Sequence, residues 1–225
     1  MANTETTIHA IVHPDLSETP IDINKTLANL KRNNFVPHYF ETGAEAVEYL
    51  KSRIQNKRVA IGDSRTLQEL QVFEALEPQN KEITDIHRPL EGETFRQTAL
   101  RTMQRDVFLT SVNALAQTGE MVNIDGTGNR VACSLFGSEE VFFVLGINKI
   151  TPDLSSAIYR ARNVAAPQNV VKNKKYSKNP CALRQDKCYD CASPDRICNA
   201  LTIYYKKMRN MDTMEIIIIN EELGF

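Results

Sequence analysis

The segment "NIDGTGNRVACSLFG" (residues 123–137) decides how the middle of this fold is interpreted. An aspartate is followed by two glycines one residue apart, and a strand-like run, "RVACSLF", comes after them. On this interpretation Gly126 and Gly128 form a hairpin turn, since Asp-Gly pairs are a strong turn signal. A dinucleotide-binding loop needs its glycines between a strand and a helix, and a P-loop needs Lys followed by Ser or Thr. We therefore expect neither of these phosphate-binding loops here.

The segments on both sides of this turn resemble a short β-meander. Three strand-like segments, "TGEMVNID", "NRVACSLF" and "EVFFVLG", follow one another, and five of the nine glycines lie between Gly119 and Gly146. Glycines at these positions supply the turns that a meander needs. We therefore predict strand, turn, strand, turn and strand between residues 117 and 144.

Outside the meander, amphipathic helical segments alternate with short extended or apolar ones. The predicted helices cover residues 22–34, 44–54, 63–76, 94–103, 151–166 and a short segment near 194–201, and the extended segments are 35–42, 58–62, 106–112 and 214–220. In the helix at 94–103 we expect Phe95, Leu100 and Met103 to face inward. The alternation predicts an α/β fold, a three-layer α/β/α arrangement with a mixed, mostly parallel sheet.

Composition and charge narrow the class of protein. With 42% hydrophobic and 24% charged residues, the 225-residue chain is typical of a soluble globular protein, so long disorder is not expected. A net charge of −1 gives no argument for nucleic acid or an anionic membrane as a partner. The beginning of the chain lacks a signal peptide pattern. The longest apolar runs anywhere in the sequence are too short to span a bilayer. We expect a cytoplasmic protein with a loosely held arm at 1–20 and one domain at 21–225.

Small polar residues follow several predicted strands. Gly62, Ser64 and Thr66 follow the strand at 58–62, while Thr110, Asn113, Asn148 and Lys149 end two others. In open α/β sheets ligands bind beyond the carboxyl ends of the strands. We therefore expect these groups, together with the turn from Asp125 to Arg130, to form one cleft for a small anionic ligand.

The residue types in this cleft indicate chemical roles. Lys149 and Arg130 would neutralise a carboxylate or a phosphate, and Arg130 could do so through two parallel hydrogen bonds. Asp125 or Glu120 could act as a general base. The alternatives are structural, because Lys149 could be a solvated charge at a helix entry and Asp125 the first residue of its turn.

Several long motifs also resemble the lactate-utilisation (LUD) domain family. They are "GDSRTLQEL", "TSVNALAQTGEMVNIDGTGNRVA", "LGINKITPDLSSAIYRAR", "NPCALRQDKCYDCASPDRICNAL" and "NEELGF", in this order from about residue 58 onward. The resemblance implies the fold of the sugar-phosphate isomerases and CoA transferases, and a cleft for an organic acid, phosphosugar or CoA-like ligand. The motif positions that carry over are Gly62, Ser64, Thr66, Asn113, Glu120, Asp125, Gly126, Gly128, Asn129, Arg130, Asn148 and Lys149.

The resemblance also implies a role in the oxidation of lactate to pyruvate, alongside separate iron–sulfur and oxidoreductase subunits. No flavin or nicotinamide motif is present in the sequence, so we expect that the isolated chain cannot accept the electrons unless its cysteines hold a cluster, and that partner subunits accept them otherwise. Two alternatives stay open: a stand-alone isomerase or transferase acting on a phosphorylated or CoA-linked substrate, and a non-catalytic ligand-binding or assembly protein. A homo-oligomer is compatible with each of the three.

Four of the five cysteines lie close together in the predicted loop at 172–200. Cys181, Cys188, Cys191 and Cys198 are spaced C-x₆-C-x₂-C-x₆-C, which is neither a zinc ribbon nor the usual ferredoxin run. Four thiols can nevertheless hold zinc or an iron–sulfur cluster. A loop of this length also needs a cross-link or a bound metal to hold its conformation. We predict a metal or cluster here, with a thiol redox pair at Cys188 and Cys191 or four free thiols as the alternatives.

Overall fold

The structure, a computed structural model, describes residues 20–225, so nearly all of the predicted N-terminal arm lies outside the described residues. Its strands are β1 (Val36–Phe40), β2 (Arg58–Ile61), β3 (Glu82–Asp85), β4 (Val107–Thr110), β5 (Ala114–Ala116), β6 (Met121–Asp125), β7 (Glu140–Gly146), β8 (Ile150–Thr151), β9 (Ala200–Tyr204) and β10 (Thr213–Ile219). Six of them form a sheet in the order β1-β10-β7-β4-β2-β3, in which every pair is parallel. The other four form a smaller mixed sheet, β8-β5-β6-β9.

The helices fill the connections between these strands. They are α1 (Ile23–Arg32), α2 (Gly43–Arg53), α3 (Arg65–Glu69), α4 (Val72–Leu76), α5 (Phe95–Thr102), α6 (Asn129–Leu135), α7 (Leu154–Arg160), α8 (Ala166–Lys172) and α9 (Pro180–Arg184). A π-helical turn, Ala161–Ala165, joins α7 to α8, and 3₁₀ turns cover Glu77–Gln79, Ile147–Lys149 and Lys174–Tyr176. Within the described residues no helix is both long and apolar enough to cross a membrane.

Apolar side chains on both faces of the large sheet produce the layers. On one face Leu50 of α2 and Leu76 of α4 pack in a single buried cluster with sheet residues. On the other face Leu30 of α1 and Cys133 of α6 pack in a second cluster, together with residues of the small sheet. A third cluster lies between the small sheet and α7. The predicted α/β/α class with a mostly parallel sheet is confirmed, and its antiparallel pairs lie in the small sheet.

Local sequence signals explain where several helices begin and why β10 is a central strand. Asp22 caps α1, Asp153 caps α7, and Thr42 forms a capping box with Glu45 at the start of α2. The segment "MEIIII", apolar except for Glu215, forms most of β10, which lies between β1 and β7 and is buried on both faces. A mainly apolar run is typical of a strand in that position.

The predicted meander is wrong in its second half. Strands β5 and β6 do form an antiparallel hairpin, but "NRVACSL" is the helix α6, and β7 joins the large sheet as a parallel strand. The carboxylate of Asp125 accepts hydrogen bonds from the amides of Gly128 and Val131, which turns the chain into a helix. Gly128 enters that helix with φ +83°, a conformation that glycine adopts without steric cost. The glycine loop therefore lies between a strand and a helix and is not a hairpin turn.

Three smaller predictions also need correction. The helix at 63–76 is broken at Gln71, whose φ of +53° separates α3 from α4. The predicted helix near 194–201 is not found; its last residues begin β9, which pairs with β6 and extends the small sheet. In α5, Phe95 and Leu100 are about half exposed, because the helix packs through Ala99 and threonine side chains instead.

Candidate functional site

A cleft of about 470 Å³ opens where four strands end. Ser64 follows β2, Ser111 and Asn113 follow β4, the glycine loop follows β6, and Lys149 follows β7. Seven of the twelve predicted site residues line this cleft: Ser64, Asn113, Asp125, Gly126, Asn129, Arg130 and Lys149. Groups that are far apart in sequence therefore meet at the carboxyl end of the fold, as the strand ends predicted.

Lys149 is the most unusual residue of the cleft. Its side chain is almost fully buried, and its Nζ donates to Thr66 Oγ1 at 2.9 Å and to Ser111 Oγ at 3.0 Å. In the described part of the chain, no carboxylate lies within ion-pair distance of this ammonium. Burial, together with repulsion from Arg160 and Arg130, lowers the pKa of Lys149 to about 7. An anionic ligand would supply the missing countercharge.

Two arginines add positive charge to the same region. Arg160 is buried, and it donates through Nε to the carbonyl of Asn148 at 3.0 Å and through Nη1 to the carbonyl of Asn113. Burial lowers the pKa of Arg160 to about 10. Arg130 reaches Asp125 only through a 3.6 Å contact and otherwise donates to the carbonyl of Ile124 and to Asn113. Lys149, Arg160 and Arg130 thus place three cations at this end of the fold, where Arg130 contacts the carboxylate of Asp125.

That carboxylate, Asp125, is largely occupied by the backbone of its own loop. Its Oδ1 accepts from the amides of Thr127 at 3.0 Å and Gly128 at 2.8 Å, and its Oδ2 accepts from Val131 at 3.3 Å. These bonds shape the loop and occupy both carboxylate oxygens, so they argue against the role of general base that the sequence predicted for Asp125. Its better-supported role is to position Arg130 and Asn129.

The comparisons with known proteins agree with the motifs in the sequence. The model of the LUD domain matches residues 23–219, which is most of the chain. The chain belongs to the LUD domain family. A crystal structure of a DUF162 family protein from Deinococcus radiodurans superposes with a TM-score of 0.50 over 88% of this chain and 95% of that one. At 11% identity, this likeness concerns the fold alone. The search of curated proteins found no significant match.

Four other predicted site residues support the cleft of this LUD domain protein from behind. Thr66 holds Lys149, and Asn148 accepts the amide of Leu223 at 3.2 Å, which ties down segment 221–225. Gly128 provides the positive φ described above. Gly62 is needed for packing, because a Cβ there would lie 2.8 Å from the ring of Phe108.

Glu120 is the one predicted site residue that the structure places elsewhere. It lies just before β6, whereas Asp125 is the last residue of that strand, so about 17 Å of strand separates the two. Its carboxylate accepts the hydroxyl of Thr118 in the β5–β6 turn, and Glu120 does not line the cleft. The role of general base proposed for Glu120 therefore has no support from this geometry.

The sequence interpretation missed a histidine–carboxylate pair at the rim. His87 Nε2 lies 2.9 Å from Asp63 Oδ1, and both side chains line the cleft. The hydrogen bond with Asp63 raises the pKa of His87, and the same bond lowers the pKa of Asp63. The clue in the sequence was Asp63 itself, which stands between two residues that were singled out, Gly62 and Ser64.

Segment 221–225 lies against the inner end of the cleft. Gly224 has φ +63°, and a Cβ on it would lie 2.6 Å from Thr66 Oγ1 and 3.1 Å from Lys149 Nζ. Its amide donates to Glu69 at 2.8 Å, and Phe225 lines the cleft. Glycine at this position lets the backbone pass directly beside the buried ammonium.

The cysteine loop forms another wall of the cleft. Asn199 donates its backbone amide to Asp125 O at 3.0 Å and its side-chain amide to Gly126 O at 2.9 Å. A Cβ on Gly126 would lie 2.8 Å from the carbonyl oxygen of Ile197, so the two loops touch through their backbones. The four cysteines of this loop are free thiols, each partly exposed.

The metal predicted at these thiols stays a prediction. Burial raises the pKa of Cys181, and repulsion from Cys191, Cys198 and Cys188 contributes, which indicates that the four thiols lie in one neighbourhood. Among residues 20–225, however, no three His, Cys, Asp or Glu side chains are close enough to hold a metal ion as they stand. Binding would thus require the thiols to move together.

Anaerobic purification followed by metal and sulfide analysis tests this prediction. We expect about one zinc ion per chain, or iron with inorganic sulfide, and a lower melting temperature after chelation. The matched variant Cys191→Ser should lose the metal, while Cys133→Ser, a change in the core outside the loop, should keep it. Absence of metal and sulfide, with a melting temperature that chelator leaves unchanged, would remove the metal site.

Proposed function

We propose that this LUD domain protein binds a small organic or phosphorylated anion in the cleft. We further propose that it serves organic-acid utilisation, the conversion of L-lactate to pyruvate, together with separate redox subunits. The observation that carries the first part is the buried ammonium of Lys149, which hydroxyl groups hold and which, within residues 20–225, has no carboxylate at ion-pair distance. Burying an unpaired charge costs several kcal/mol, so such an arrangement is typical of a functional site.

The three cations differ in what they can offer to an anion. Lys149 lies deepest and provides a point charge between two hydroxyl groups. Arg130 has a planar guanidinium that suits carboxylates and phosphates, and Arg160 adds charge from behind while its donors stay on backbone carbonyls. A carboxylate or phosphate seated between Lys149 and Arg130 would receive charge-assisted hydrogen bonds from both.

Membership of the LUD domain family supports the lactate role. The composition of the site supports the need for partner subunits. The cleft supplies charge, hydroxyl groups and a rim histidine, which can bind and orient an organic acid. Oxidation of lactate removes two electrons, and an acceptor on another subunit would have to take them. Co-purification with iron–sulfur and oxidoreductase subunits is the result that this proposal requires.

A stand-alone isomerase or transferase is the second candidate, and one observation favours it. With its pKa lowered to about 7, Lys149 can be neutral at physiological pH and could accept a proton from a bound substrate. Turnover of a phosphorylated or CoA-linked substrate by the isolated chain would support this candidate over the first.

A thermal-shift screen with lactate, pyruvate, sugar phosphates and CoA esters tests the anion site. At a concentration about a hundred times its Kd, the right ligand should raise the melting temperature by roughly 5 to 10 °C. Arg130→Ala should remove most of that increase, whereas Arg96→Ala, at an exposed position of α5 outside the cleft, should keep it. Equal shifts in both variants would place the ligand elsewhere and contradict the proposal.

A further inference from the structure

A second cavity of about 350 Å³ adjoins the cleft and plays no part in the anion site. The two cavities share Ser64, Gln68 and His87. The second one lies over the ends of β2 and β3, toward the edge of the large sheet where β3 is the last strand. A three-carbon acid held by Lys149 would leave this space empty. Together the two cavities have the size of sites that enclose considerably larger ligands.

A buried carboxylate, Asp85, stands at the centre of this cavity wall. It is the last residue of β3 and pairs in register with Ile61, the last residue of β2, which places it beside the Gly62 turn. Its Oδ1 accepts the amide of His87 at 2.8 Å. The nearest cation to Oδ2 is Arg88, at 4.0 Å. One carboxylate oxygen therefore keeps the capacity to accept hydrogen bonds from a ligand.

The order of these elements matches a known way of holding ribose. In dinucleotide-binding folds, a carboxylate about twenty residues beyond the first turn, at the end of the neighbouring parallel strand, binds the ribose hydroxyl groups. Here Asp85 follows Gly62 by 23 residues, and β2 and β3 are neighbours and parallel. Lys149 follows β7, on the side of β2 away from β3, and it lines the cleft together with Arg130, so both cations are available to the phosphate of such a ligand.

Beside Asp85, the second cavity is lined by a guanidinium that stacks on an aromatic ring. The guanidinium of Arg88 lies 3.8 Å from the centroid of the Phe73 ring, and both side chains line the cavity. Glu74 accepts a hydrogen bond from Arg88 and keeps it in this position. A planar guanidinium on an aromatic ring offers a stacking surface for another planar group, such as a nucleobase.

We infer that the second cavity binds the ribose and base of a ribonucleotide whose phosphate lies at Lys149 and Arg130 in the cleft. The inference rests on the proposed anion site and names the class of its ligand. Glycine-rich phosphate cradles are not required, because side-chain cations take their place. Asp85 would accept the ribose hydroxyl groups, and the Phe73–Arg88 pair would support the base.

Isothermal titration calorimetry with four ribonucleoside monophosphates (AMP, GMP, CMP and UMP) and their 2′,3′-dideoxy analogues tests the inference. We expect at least one ribonucleotide to bind about tenfold or more tightly than its dideoxy analogue, because the ribose would donate to a charged carboxylate. Asp85→Asn keeps the size and one acceptor, and it should abolish that preference. Glu91→Gln, at an exposed carboxylate that lines neither cavity, should preserve it.

The outcomes separate this inference from the anion site itself. Equal binding of ribonucleotides and dideoxy analogues, no binding of any ribonucleotide, or a preference that survives Asp85→Asn would overturn the ribose site. If inorganic phosphate binds wild type and Asp85→Asn equally but does not bind Lys149→Met, the proposal of the anion site would still hold. Absence of binding by phosphate and by every organic anion in the screen would overturn both.

Discussion

Replacing Lys149 by Met should weaken anion binding by roughly 10- to 100-fold and at the same time stabilise the protein. The loss of binding follows because the ammonium would donate charge-assisted hydrogen bonds to the ligand. The gain in stability follows because methionine fills similar space without a buried, unpaired charge. Replacements of this kind commonly raise the free energy of unfolding by about 1–4 kcal/mol. Thr66 and Ser111, whose hydroxyl oxygens are 3.5 Å apart, can then bond to each other.

The gain in stability should depend on pH in a defined direction. The folded pKa of Lys149 is about 7, below its value near 10.4 in the unfolded chain. Between these values the unfolded state binds more protons, so the stability of wild type rises with pH. The advantage of Lys149→Met should therefore be complete below pH 7 and shrink to nothing as pH approaches 10.5. Thermal melts of both proteins across this range measure the difference.

A surface control makes this experiment specific. Lys81 is an exposed lysine outside the cleft, so Lys81→Met should change neither phosphate binding nor the pH dependence of the melting temperature. A Lys149→Met protein that is less stable than wild type at pH 7, yet binds phosphate equally well, would contradict the account. Such a result would make Lys149 an ordinary structural lysine.

Arg53→Met should lower the free energy of unfolding by about 2–4 kcal/mol, for a reason unrelated to the cleft. Arg53 bridges two nearly buried carboxylates at the amino end of the large sheet, Glu215 at 3.0 Å and Glu140. Removing one partner of a buried ion pair leaves uncompensated charge and costs about 3–5 kcal/mol. We reduce this figure because Arg53 is about one-third exposed and Lys57 still pairs with Glu140 at 3.0 Å.

The effect of Arg53→Met should also fade in acid. Burial alone would raise the pKa of Glu215. Hydrogen bonds from His38 and Tyr49, together with the charge of Arg53, outweigh burial and hold this pKa below its usual value. A carboxylate with a lowered folded pKa stabilises the protein above its unfolded pKa, and this contribution is lost as pH falls through the folded pKa. Urea unfolding at pH 7 and at a series of lower pH values should thus show a difference that shrinks as pH falls below the usual pKa of a glutamate.

Arg58→Met is the matched control for this prediction. Arg58 also pairs with a carboxylate, Asp106, but the arginine is half exposed, and such surface pairs contribute about 1 kcal/mol or less. If Arg53→Met and Arg58→Met destabilised the protein equally, the buried network would have no special role in its stability.

Elements with one dominant pattern could be predicted from the sequence. Helix α1 has its cap and apolar spacing, and β10 ends in the apolar run Ile216–Ile219, so both follow from local signals. The run "RVACSLF" fits the periods of both a strand and a helix. Its structure depends on the Asp125 carboxylate, which caps the loop before it, and on packing of Cys133 against the large sheet. A pattern of residues in this segment alone could not reveal either contact.

The same division holds for the cleft. Ser64 and Lys149 were predictable because parallel strands bring polar residues at their carboxyl ends to one edge. Arg130 follows β6 of the small sheet, whose position beside that edge the strand pattern alone does not give. The lack of an ion pair to Lys149 in the described part of the chain was not predictable, because it depends on where Asp125 points and on how many backbone amides donate to it. Asp63 and His87 were missed because the pair forms only when the segment after β3 folds back toward β2.

The most direct test of the central claim is an NMR titration of lysine side chains, with Lys149→Met used to assign the signal. We predict that Lys149 titrates near pH 7 in the free protein, well below the other lysines. Saturating inorganic phosphate should raise that pKa by more than about one unit, because the bound anion would stabilise the ammonium. A Lys149 signal that titrates together with the surface lysines, and that phosphate does not move, would contradict the account.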